Sequence, residues 1–119
     1  MDRLSAVFVI ATMTVLLASG GAAAQSNEKP FTHTIKPRAL GEECFKLPGG
    51  QSIGYAFESS AAVDFNIHFH RGNDVVYPVA SDAVRSASDR FTAPSTEEFC
   101  LMWTNRTLDM VTVKGRLAP

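Results

Sequence analysis

After residue 24 the chain has no apolar run long enough to cross a membrane as a helix, which takes roughly 20 residues. No helical membrane span is therefore expected in the mature protein. The chain also lacks an excess of either charge: Lys and Arg number 11 against 12 Asp and Glu, a formal net charge of −1. Such a balance offers no electrostatic basis for binding nucleic acid or an anionic membrane. There is no Gly-x-Ser-x-Gly elbow and no C-x-x-C pair, so the usual signs of a serine nucleophile or a reactive thiol are missing. Beyond residue 24 no stretch repeats its apolar residues at helical spacing. What is there instead is a series of short alternating runs separated by turn residues.

The first residues read as an export signal. A short polar start, Met1-Asp2-Arg3, leads into the apolar run Leu4–Ala18, and the small residues Gly20–Ala24 end in Ala22-Ala23-Ala24. That order predicts a signal peptide over 1–24, cut between Ala24 and Gln25. An uncleaved anchor is disfavoured because the apolar run is short and small residues follow at once. No Cys lies near the cut, which argues against a lipid anchor. The expected product is periplasmic or secreted and has one domain: a flexible segment over 25–40, then a folded domain over 41–119.

Two cysteines remain in the exported part, Cys44 and Cys100. In an oxidising compartment an even pair is read first as a structural disulfide. On the chain-entropy model, closing a loop of that size stabilises a fold by about 4 kcal/mol. That is a large share of the roughly 5–15 kcal/mol by which a small domain is stable.

The organising stretch is Ala61–Tyr77. Val63, Phe65, Ile67 and Phe69 alternate with Asp64, Asn66, His68 and His70, the pattern of a half-buried strand. Gly72-Asn73 suits a two-residue type II′ hairpin turn. The register it sets pairs Arg71 with Asp74, His70 with Val75, Phe69 with Val76 and His68 with Tyr77. Val75, Tyr77 and Val79 then share the face of the histidines. Other strands are expected at Gly41–Leu47, Ser52–Ser59, Phe91–Ala93, Glu97–Thr104 and Met110–Leu117, with an edge strand around Thr32–Ile35. Ala80–Arg90, rich in Ser, Asp and Ala, reads as a long loop. These elements predict an all-β fold, an antiparallel β-sandwich of seven to eight short strands with one inter-strand disulfide.

In order, Cys44-Phe45, Val63–Ile67, the Gly-Asn turn, Val75–Tyr77, Phe91–Pro94 and Glu98–Asn105 resemble the GOLD domain. That domain is the lumenal β-sandwich of cargo receptors in the early secretory pathway, and the likeness covers about Gly41–Leu117. It implies a sandwich, a general habit of binding other molecules, and a Cys44–Cys100 disulfide matching the family's pair. The receptors continue into a coiled coil, a transmembrane helix and a coat-recruiting tail. These residues end at Pro119 after the last strand, so cargo sorting is not carried over. The signal peptide's style points to a free-standing bacterial relative.

Three functional readings follow. The first is a non-catalytic module that binds a protein partner through a mixed patch of His68, His70 and Tyr77, with Asp64 and Asn66 at its rim. It needs no cofactor. The second is a Cu or Zn protein, because His68 and His70 project together from one strand and supply two metal ligands. A third ligand would come from Tyr77, His33 or a partner chain. A third class is an enzyme subunit or inhibitor active only with its partner. Adjacent Glu42-Glu43 and Glu97-Glu98 would split between the two faces of a strand, which disfavours an acid/base dyad. Trp103 is expected in the core near the disulfide, and Asn105-Arg106-Thr107 fits a glycosylation sequon.

Overall fold

A computed structural model describes residues 11, 14–16, 20 and 27–119 of the chain. The signal peptide expected over 1–24 and its cut after Ala24 lie, apart from those isolated positions, outside the described residues. Six strands and no helix are found among them: β1 Lys29–Ile35, β2 Leu40–Leu47, β3 Ser52–Arg71, β4 Asp74–Thr92, β5 Glu97–Thr104 and β6 Val111–Ala118. All pair antiparallel in one sheet of order β1-β6-β3-β5-β2, with β4 along the other edge of β3.

The sheet curls because β3 changes partners midway. Its first part, Gly54–Ser59, pairs with β6, and its second part, Asp64–His68, pairs with β5. Between them lie Ser59-Ser60-Ala61-Ala62, where the register against β4 also shifts. Small residues tolerate the bend there, and such irregularities increase local twist. The curl brings the two ends of the sheet together: His33 Nε2 of β1 lies 2.8 Å from Glu43 Oε2 of β2, and the Phe31 ring 5.3 Å from Trp103 of β5.

The all-β class and the Cys44–Cys100 disulfide are as expected from the sequence. The strand count is not. Six strands, two of them long, replace the seven to eight short ones, because two expected breaks are continuous. Ser52–Ser59 and Val63–His70 are one strand through the bend, and Ala80–Arg90 is strand rather than loop. Ser, Asp and Ala are weak strand formers in isolation. Here they lie flat because residues 86–90 pair in register with residues 54–58. From Lys29 to Ile35 the segment read as a lead-in is likewise part of the sheet, paired with β6.

Period-two alternation places the core. Ile53, Tyr55 and Phe57 share it with Val63, Phe65, Ile67 and Phe69, and with Phe99, Leu101 and Trp103. Phe57 and Phe65 rings stand 4.7 Å apart and Phe91 and Phe99 4.9 Å apart, in tilted and edge arrangements favourable for aromatic pairs. Trp103 is fully buried, but on the face of β5 opposite Cys100, so it is not the disulfide's packing partner. At Gly115 a Cβ would collide with the Ala56 carbonyl and the Phe31 ring. Only glycine lets β1, β3 and β6 approach so closely.

The sequon asparagine is a structural staple. Asn105 is fully buried, and its Nδ2 donates to the carbonyls of Ile35, Lys36 and Asp109 at 2.7–3.1 Å. Its Oδ1 accepts from the Thr107 backbone N–H and hydroxyl. The loop between β5 and β6 is thereby tied to the turn between β1 and β2.

Candidate functional site

The candidate surface is the outer face of β2, β5 and the second part of β3, together with the returning limb of the β3–β4 hairpin. Gly72 adopts φ 60° at the turn, a conformation in which L side chains are disfavoured. The tip register is as expected: Arg71 with Asp74, His70 with Val75, Phe69 with Val76.

One step further it fails. Ile67 pairs with Val79, so the register shifts between Ile67 and Phe69, and Tyr77 and Pro78 together oppose His68. Proline cannot donate to a ladder, and bulges are where strands accommodate it. The consequence is a correction to the proposed face. Val79 turns inward and packs on the core, while Val75 and Tyr77 stay out, 38% and 53% exposed.

The rest of the face assembles around His68, which is only 3% exposed. Its ring lies 5.4 Å from that of His70 and 5.8 Å from that of Tyr77. Its Nδ1 is 2.8 Å from Asn66 Oδ1, two residues back on the same strand. Its Nε2 faces Glu42 Oε1 at 3.6 Å. Burial lowers the His68 pKa; Glu42 pulls it up and His70 pushes it down. The net effect favours the neutral imidazole.

Of the residues singled out in the sequence, His68, His70, Tyr77 and Asn66 come together. Asp64 does not share their contacts. Its carboxylate binds Arg106 and accepts from the Ala83 N–H, and Arg106 above all holds its pKa below the usual carboxylate value. Ala83 has φ 52°, so Asp64 secures a kink in β4. His33 is not available as a metal ligand beside them. It sits on β1 with Nε2 2.8 Å from Glu43 and its ring 5.6 Å from Trp103. Burial opposes ionisation of Glu43, but Lys29 and His33 outweigh it and hold its pKa low.

The sequence pattern points neither to Glu42 as a member of this face nor to the place of the expected disulfide beside His68. Glu42 precedes Cys44 by two residues on β2 and so shares its face, while Glu43 points the other way, as expected of adjacent strand residues. Cys44 opposes Cys100, and Cys100 opposes His68. Donor atoms of Glu42, His68 and Cys100 lie within 4.8 Å of one another. While the sulfurs are joined, no thiolate is offered. In that state the face presents imidazole, phenol and apolar surface, chemistry suited to contact with another molecule.

A second feature lies on the other half of the sheet. A shallow groove of ≈ 880 Å³ runs over Ala56, Ser86 and Ser88, with Glu58, Lys114 and Arg116 around it. Its floor is small side chains, and Arg116 Nε stands 3.6 Å from Glu28.

No family model matches this chain, and no curated protein does. Solved structures share its fold. A periplasmic inhibitor of g-type lysozyme from Aeromonas hydrophila is similar with a TM-score of 0.57 and 12% identity, over 82% of this chain and 90% of that one. The Yersinia pseudotuberculosis-derived mitogen gives 0.55 at 13% identity, over 79% and 86%. The pre-peptidase C-terminal domain of a Bacillus anthracis collagenase gives 0.52 at 8% identity, over 76% and 88%. At such identities the likeness is one of fold. None of the three is a GOLD domain.

Proposed function

We propose that the protein is an exported, non-catalytic module that binds a protein partner through the His68–His70–Tyr77 face. The observation that carries this reading is Tyr77: a large aromatic side chain, 53% exposed, standing beside a buried imidazole on a rigid hairpin. Aromatic residues backed by a fixed frame are the usual anchors of protein interfaces, because they bury much area at little cost in side-chain freedom. The disulfide on the same face and the Asn66 contact support that frame. The fold supports the reading, since a lysozyme inhibitor is built on it. The GOLD-like run of motifs points the same way.

Site-specific photo-cross-linking in the exporting cell tests it. A photoreactive residue at position 77 should yield a discrete protein adduct that the same residue at Ser86, on the far part of β4, does not. Equal adducts from both positions, or none from position 77, would reject the face. The g-type lysozyme is the first purified partner to try.

A further inference from the structure

Three neighbouring strands turn metal-binding atoms to the outer face, Cys44, Cys100 and His68 at one level and Glu42 two residues along β2. Glu42 and Cys44 come from β2, Cys100 from β5 and His68 from β3. The Glu42 carboxylate, a His68 ring nitrogen and the Cys100 sulfur already lie within 4.8 Å of one another, and the Cys44 sulfur is bonded to the last. Tetrahedral ligands around Zn²⁺, with bonds of about 2.0–2.3 Å, stand about 3.3–3.8 Å apart. For those three atoms the difference is about 1–1.5 Å, a distance on the scale of a side-chain rotation. The supporting contact is also in place. Asn66 Oδ1 lies 2.8 Å from His68 Nδ1, so with the proton on Nδ1 the other nitrogen, facing Glu42, carries the free lone pair. A metal-binding histidine is commonly fixed in this way by a hydrogen bond from its other nitrogen.

We propose that reduction of the Cys44–Cys100 disulfide opens a Zn²⁺ site made of the two thiolates, His68 Nε2 and Glu42. Disulfide and metal are then alternative occupants of one place in the sheet. A dithiol reductant passes two electrons and two protons to the disulfide and becomes a disulfide itself. The two new thiols release those protons as the ion binds. Thiolate and imidazole ligands select Zn²⁺ over Ca²⁺ or Mg²⁺. The site differs from a His-x-His site in its members: His70 lies outside it. It shares His68 and the two cysteines with the proposed protein-binding face, but Tyr77 supplies no ligand, so zinc binding is tested without a protein partner.

The test compares the mature protein as isolated and after reduction by a phosphine, titrated with Zn²⁺ and with Co²⁺ as a spectroscopic stand-in. The reduced protein should bind one ion and show thiolate-to-cobalt charge transfer with the strong visible bands of tetrahedral Co²⁺. The oxidised protein should show neither. His68→Gln and Asn66→Ala retain both cysteines. Asn66→Ala should weaken Zn²⁺ binding by about 10–100-fold and His68→Gln by at least as much, while His70→Ala leaves it unchanged. Equal binding by oxidised and reduced protein would overturn the proposal. So would a cobalt spectrum without thiolate charge transfer, or an equal loss from His70→Ala. Near-ultraviolet circular dichroism of Trp103 follows the fold. A signal lost on reduction and not restored by Zn²⁺ would overturn it too.

Discussion

Ile67 pairs with Val79, one residue beyond the partner a regular hairpin would give it. The extra residue is absorbed opposite His68, and it separates two valines that a regular strand would place alike. Val79→Asp puts a carboxylate against the core and should destabilise the fold by about 1–3 kcal/mol. Val75→Asp, on the outer face, should stay within about 0.5 kcal/mol of the parent. Urea denaturation of both variants checks the bulge directly; equal losses would contradict it.

The buried His68 makes stability depend on pH. Its folded pKa is depressed below the ordinary 6.5, first by burial. The unfolded chain therefore takes up this proton more readily than the native one. The contribution is fully present above about pH 6.5 and is lost as pH falls through the lower, folded value. His68→Gln should flatten the stability profile over that window. An unchanged slope in chemical denaturation from pH 7 downward would show that His68 is not its source.

Close approach at Gly115 predicts a steep penalty for one methyl group. Gly115→Ala must push apart Phe31 and the Ala56 carbonyl, at a cost of about 1–3 kcal/mol or more. Thermal unfolding measures it, and a neutral result would mean that β1 does not lie against β6 as described.

Asn105→Ala removes the donor shared by the carbonyls of Ile35, Lys36 and Asp109. Leaving buried polar groups unpaired costs about 1–3 kcal/mol. The same geometry predicts that the folded protein is a poor acceptor for glycosylation at Asn105, readable by intact mass after exposure to an N-glycosylating host. A modified, folded product would refute it.

What could be read from the sequence was local. The limits of β5 and the Gly72-Asn73 turn with its tip pairing follow from alternation and turn chemistry over a few residues. Residues 80–90 carry no such alternation. They are strand only because residues 54–58 and 63–66 of β3 lie alongside, a relation between distant segments. Pro78 by itself fits a strand end, an edge or a bulge, and only the far end of the ladder shows that a slip falls beside it. Glu42 and His68 are 26 positions apart, and they meet because β5 places β2 beside β3. Local pattern alone does not supply that order, so the His-x-His pair stood out while the wider donor group did not.

The most direct measurement is the affinity of the partner captured at position 77 for the parent protein and for Tyr77→Asp. An anchor residue at the centre of an interface contributes about 2 kcal/mol or more, a loss of roughly 30-fold in Kd. At least that loss is expected, with Ser86→Asp unchanged. Equal affinity of Tyr77→Asp and the parent would contradict it.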